Sequence, residues 1–186
     1  MIGSGKHRSA DAETLSAQWS VRAEWINGDV ATSNWPDFAH QQATRRVANL
    51  LEGALPDLVV ATSVTLLLSP DFQPIPDVAV TSKTPDGVSV AEAPLVVVEV
   101  VSPDTWATDA VVKSAAYHRH GVGQYWLVQP SPRSIHVFEH ADSGWQPVVT
   151  VDDARPVASL ALGRYGTVGI ELAALLGDDD AMGVGV

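Results

Sequence analysis

Apolar and polar positions alternate over residues 19–31 around Asn27-Gly28-Asp29, and a period of two on both sides of Asn-Gly predicts a tight β-hairpin. A helical period follows, with Ala43, Val47, Leu50, Leu51 and Leu55 recurring three and four apart. Asn34 is the expected cap of that helix, Pro36 and Asp37 suit its first turn, and Pro56-Asp57 stops it. The Val-, Thr- and Leu-rich run 58–68 predicts a strand ended by Ser69-Pro70-Asp71, and 77–81 and 95–101 predict two more, separated by a loop holding Pro85-Asp86-Gly87. The run 95–101 is apolar apart from Glu99, as expected of a strand in the middle of a sheet. Residues 105–120 have helical composition and end at Gly121; 125–128, 134–139 and 145–150 read as further strands, and 171–176 as a short closing helix. This order of hairpin, helix, three strands, helix and more strands predicts a mixed α/β fold.

Length and composition narrow the picture. With 186 residues, 46% of them apolar, the chain is long enough for one core. The expected organisation is a flexible arm over 1–18, one domain over 19–176 and an acidic tail over 177–186 containing Asp178-Asp179-Asp180. The 11 Lys and Arg against 22 Asp and Glu give a net charge of −11. The acids divide evenly between the two halves, 11 and 11, so the charge is not confined to a tail. Such a chain has no broad basic surface for polyphosphate, and any nucleic-acid role has to rest on a local site. The absence of cysteine excludes disulfides and Cys-ligated zinc or iron–sulfur centres. No apolar run approaches the ~20 residues of a membrane span, and the first residues have no apolar stretch of a signal sequence, so the expected location is the cytoplasm.

Glu99 is the most informative residue. A carboxylate within an apolar strand is costly unless it is paired or bound to a metal. The simpler alternative is a salt bridge to an arginine on a neighbouring element. Asp77, opening the preceding predicted strand after Pro76, offers a second carboxylate for the same end of the sheet. Two such oxygen donors, with backbone carbonyls and water, suit a hard cation such as Mg2+. Asp109, Lys113 and Tyr117 are spaced i, i+4, i+8 and form one helical stripe, which is either an ordinary exposed helix pair or a third contribution to the Glu99 site.

Other candidates carry less. His118, His120, His136 and His140 have no compact zinc spacing and read as surface groups, whereas His40, at the start of the first helix, borders the site. Gly3-Ser-Gly5-Lys6 lacks the spacing of a phosphate loop, and Ser102 reads as a turn residue. Trp126 reads as core; Trp35 and Trp106 lie in loops near the site, where stacking on a base or packing over a loop are both open.

The joint order of Ala23-Glu24-Trp-Ile-Asn-Gly28-Asp29, the His40 helix, Ile75-Pro76-Asp77-Val78, Pro94-Leu-Val-Val-Val-Glu99-Val-Val-Ser102-Pro103, Asp109-x-x-x-Lys113-x-x-x-Tyr117 and Gly121-Val-Gly-Gln-Tyr125-Trp126 resembles the Uma2 family of restriction endonucleases, a branch of the PD-(D/E)XK nuclease superfamily. The resemblance covers about residues 19–176. It implies a restriction-endonuclease-like mixed sheet flanked by helices, with an N-terminal hairpin and extra C-terminal strands, and a Mg2+- or Mn2+-dependent endonuclease acting on DNA. Asp77 stands at the superfamily's proline-aspartate and Glu99 at the acid of its (D/E)XK triplet, whose lysine slot holds Val101; Lys113 takes the lysine's place from the following helix. The implied metal ligands are Asp77, Glu99 and a main-chain carbonyl near Val100, with Glu24, His40, Asp109 and Tyr117 in support. The implied partner is DNA, bound weakly and with metal, to a homodimer. A catalytically silent binding or assembly module on the same fold is the alternative.

Overall fold

A computed structural model describes residues 22–33, 35–84, 89–101, 106 and 108–177. The expected arm over 1–18, the Asn34 cap, Pro85-Asp86-Gly87, Ser102 and the triple aspartate near the C-terminus lie outside the described residues.

The hairpin forms from β1 (Arg22–Ile26) and β2 (Asp29–Ser33), and its two turn residues, Asn27 and Gly28, take positive φ as a two-residue turn requires. Helix α1 (Phe38–Ala54) starts at Asp37, whose carboxylate accepts the His40 amide proton at 2.8 Å. The cap is therefore Asp37, directly before the first helical residue, where a side-chain oxygen meets an otherwise unpaired N–H. The single strand expected over 58–68 is two, β3 (Val59–Thr62) and β4 (Thr65–Leu66), because Ser63 adopts φ 52° and turns the chain between them.

Next come β5 (Val78–Thr81), β6 (Ser89–Val90) and β7 (Val96–Val100). The predicted helix over 105–120 is α-helical at Trp106, π-helical over Thr108–Lys113 and α-helical again in α2 (Ser114–Arg119). Strands β8 (Gln124–Gln129), β9 (Ser134–Ala141) and β10 (Gly144–Asp152) follow. A second hairpin that the pattern did not indicate, β11 (Val157–Ala161) and β12 (Thr167–Glu171), precedes α3 (Leu172–Leu176).

Six strands form one mixed sheet in the order β10-β9-β8-β7-β5-β3, with β7 and β8 parallel and the other neighbours antiparallel. Strand β7 is thus interior, as its near-continuous apolar run predicts. On one face Val78, Val80, Val96, Val98, Val100 and Trp126 pack with Ala43, Val47, Leu51 and Leu55 of α1. On the other, Ala79, Val97, Tyr125 and Leu127 pack with Tyr117 of α2, Phe72 and Ile26. Alternation along β7 assigns Glu99 to this second face, while Val96, Val98 and Val100 face α1. Among the described residues no helix is long and apolar enough to cross a membrane.

Gly123, between α2 and β8, sits so close to the β7 approach that a Cβ there would stand 2.8 Å from the Leu95 carbonyl oxygen. Gly123→Ala should therefore lower the unfolding free energy by about 1–3 kcal/mol. The measurement is a shift in urea midpoint at constant slope. Gly169 in β12 has nothing within 4 Å of its added Cβ, and Gly169→Ala should be neutral or slightly stabilising in the same titration.

Candidate active site

Arg22 and Glu24 lie two apart on β1 and project from one face of the hairpin. An isolated bridge between Trp25 and Gln73 ties that strand to the chain leading into β5, with Gln73 N–H donating to Trp25 O at 2.7 Å. Glu24 completes the tie by accepting the Ile75 amide proton on Oε1 at 2.6 Å. The hairpin thereby carries two charged side chains to the end of the central strands.

Val78 pairs with Val98, and continuing the antiparallel register by one residue sets Asp77 opposite Glu99 on the same face. Asp77 is held from three elements. Its Oδ2 accepts the Val100 amide proton at 2.8 Å, and its Oδ1 receives Arg22 Nη1 at 3.1 Å. His40 Nε2 stands 3.0 Å from the same Oδ1, near enough for an ion pair but without hydrogen-bond alignment. Burial works against the Asp77 charge, but His40, Arg22 and the Val100 amide outweigh it and hold the carboxyl below its ordinary value of 3.8. Burial likewise opposes the Arg22 charge and is outweighed by Glu24, Asp77 and Glu99, so the guanidinium stays above its usual range.

Glu99 is 1% exposed. Its Oε1 accepts the Tyr117 hydroxyl proton at 2.7 Å and lies 3.4 Å from Lys113 Nζ. The same ammonium is 2.9 Å from Glu24 Oε1, so Lys113 bridges the hairpin acid and the strand acid. Burial first, then the charges of Glu99 and Glu24, push the Tyr117 hydroxyl well above its ordinary pKa, and it remains a proton donor to Glu99. Lys113 and Tyr117 sit four residues apart across the junction of the π-helical segment and α2, which turns both toward Glu99.

The structure thus brings Glu24, His40, Asp77, Glu99, Lys113 and Tyr117 into one buried ion network. The Asp109 side chain lies outside the described residues. Val100, expected to offer its carbonyl, engages Asp77 through its amide. Arg22, not singled out from the sequence, was signalled only by its i, i+2 spacing from Glu24 on an alternating strand. The arginine partner foreseen for Glu99 goes to Asp77, and Glu99 takes the lysine and tyrosine. Trp35 is 63% and Trp106 43% exposed, and Trp126 is fully buried. The histidines of the helix end and β9 are not simple surface groups: His118 and His140 stack at 4.1 Å under Trp145, and His120 stacks on Phe72 at 5.5 Å.

Among the described residues no three His, Asp or Glu side chains form a ready metal cage. The donor chemistry nevertheless fits a hard divalent cation. Three carboxylates share the site with two basic side chains, Arg22 and Lys113, so the acids outnumber the bases by one apart from His40. Lys113 already stands between two of the carboxylates.

Because the Asp77 carboxyl titrates below 3.8 in the fold, the stability contributed by its charge is present above that value and is lost as pH falls through the folded pKa. Asp77→Asn, measured in EDTA, should therefore cost stability near neutral pH, and its gap to the wild type should narrow as urea titrations are repeated below about pH 4. A gap independent of pH would contradict the assignment.

Comparison with known proteins bears on the fold and the family. A crystal structure titled as "a putative nuclease belonging to DUF820" from Anabaena variabilis ATCC 29413 superposes with a TM-score of 0.67 at 17% identity, covering 83% of this chain and 89% of that one, a likeness of fold. No curated protein matches the chain. The family model of Uma2, described as "Putative restriction endonuclease", matches residues 11–169, well over half of the sequence, and the chain belongs to that family.

Proposed function

We propose that the protein is a metal-dependent endonuclease that hydrolyses phosphodiester bonds in DNA. The observation that carries this reading is the convergence of Asp77, Glu99 and Lys113 on one end of the central strands of a nuclease-like fold. Membership of a family described as restriction endonucleases supports it.

Asp77 and Glu99, with the Val100 carbonyl, would hold Mg2+ or Mn2+, which when bound supplies a Lewis acid for the scissile phosphate and a bound water of lowered pKa. The protein's own groups prepare the site for that chemistry. Arg22, His40 and the Val100 amide keep Asp77 ionised and fixed in place. Tyr117 fixes the Glu99 carboxylate in place through its hydroxyl hydrogen bond. The Lys113 ammonium, anchored by Glu24, is the group positioned to orient the attacking water or to meet the charge developing on phosphate oxygen. With net charge −11, the enzyme binds DNA weakly and with strong dependence on salt and divalent ion, and pairing of two copies as a cytoplasmic homodimer would supply further contacts.

The test is a cleavage assay on plasmid and single-stranded DNA with Mg2+ or Mn2+. Cutting is expected with either ion and none in EDTA. Glu99→Ala should abolish it, and Lys113→Ala should slow it by on the order of 10²–10³ while sparing metal binding. Cutting that survives Glu99→Ala would overturn the site, and DNA retention without any cutting would favour a silent binding module.

A further inference from the structure

A guanidinium carries five N–H donors in a rigid fork. Arg22 uses one nitrogen, Nη1, on Asp77. Its Nε and Nη2 are buried and meet no acceptor among the described residues. Buried donors are nearly always satisfied, so an idle pair calls for an explanation. These two nitrogens form the side of the fork that grips two oxygens of one anion at once.

The neighbouring acids Asp77, Glu24 and Glu99 are not that anion, because none of them bonds Nε or Nη2. Thr44 Oγ1, one helical turn beyond His40 on the same face of α1, is also buried without a partner. The Arg22 side chain keeps 12% of its surface exposed against 4% for Asp77, so this corner borders solvent where the metal-site acid does not.

We propose that Arg22 is a phosphate-binding residue, its Nε–Nη2 edge taking two non-bridging oxygens of a nucleic-acid phosphodiester while Nη1 remains on Asp77. The inference rests on the nuclease reading for the identity of the anion. It adds a contact that positions a backbone phosphate beside Asp77, and it divides the two basic side chains of the site: Lys113 serves the carboxylates, and Arg22 serves both a carboxylate and the substrate.

The experiment follows binding of a labelled short DNA duplex by fluorescence anisotropy across a series of salt concentrations in Mg2+, with Mn2+ binding measured separately by electron paramagnetic resonance. Arg22→Gln should weaken duplex binding about tenfold or more and reduce the slope of log affinity against log salt by about one, the signature of one lost phosphate contact. Mn2+ binding is compared in Arg22→Lys, which keeps a cation beside Asp77, and should persist there. Arg22→Lys should keep the slope but bind several-fold more weakly, because one ammonium cannot reproduce the fork. If Arg22→Gln loses its cooperative melt, Arg22→Lys carries the comparison, and wild-type affinity there overturns the proposal. An unchanged slope in a folded Arg22→Gln, joint loss of Mn2+ and DNA binding in Arg22→Lys, or failure of the wild type to bind the duplex also overturns it. A wild type that cuts DNA while Arg22→Gln keeps its slope refutes the phosphate contact and leaves the nuclease reading standing. A wild type that neither cuts nor binds Mn2+, with the slope still falling in Arg22→Gln, refutes catalysis and leaves the contact.

Discussion

Everything around the site follows from burying Glu99 in the middle of a sheet. A carboxylate taken out of water costs several kcal/mol unless its charge is met, and the rest of β7 consists of valines that offer nothing to meet it. The partners must come from other elements. Lys113 and Tyr117 come from the helical segment after the strand, and Lys113 is itself steadied by Glu24 of the hairpin. One buried charge thereby dictates where a helix lies, why it contains a π-helical segment and why the hairpin must dock against the chain entering β5. Asp77 repeats the logic with a different set, drawing Arg22 from the hairpin and His40 from the first turn of α1.

The two acids were legible in the sequence, Glu99 because it interrupts an apolar strand and Asp77 because it opens one directly after Pro76. Their placement on one face follows from antiparallel pairing of the strands that hold them. Lys113 was legible only as a member of a spaced stripe. Arg22 was not, because a charged residue on a short alternating strand looks like any solvated one until the strand's docking partner is known. The same limit hid the Asp37 cap behind Asn34, since both residue types cap well and only the point where the backbone turns helical separates them. The π-helical segment was hidden because Thr108, Val111 and Val112 merely weaken α-helix without naming its replacement. The β11–β12 hairpin escaped because its strands are short and Ala, Ser and Gly dilute the apolar alternation in the sequence, although burial alternates along both.

The charge balance takes a different meaning once the partners are known. Of the basic residues described, Arg22 and Lys113 belong to the buried network, and Lys83, Arg133 and Arg155 are paired with Glu92, Asp153 and Asp152. The other described arginines, Arg45, Arg46, Arg119 and Arg164, make a weak field for a polyanion against 22 acids. Affinity has to be generated at the site, where desolvation strengthens each contact, and not by a surrounding field. That places the burden of binding on very few side chains.

The network also sets a tension between folding and chemistry. In the protein alone, Arg22 and Lys113 neutralise the carboxylates and let the central strands bury them. A divalent ion and a phosphate would make demands on the same oxygens and the same nitrogens. Asp77 is the least free to answer, with both oxygens engaged from three elements, whereas Arg22 holds donors in reserve and Lys113 sits on a long side chain between two acids. Adjustment on loading therefore falls on the cations, and the acids stay where the sheet puts them. Long, flexible cationic side chains are suited to that division, because a lysine or arginine can re-aim by rotation about its methylene stem while a strand carboxylate cannot move without its backbone.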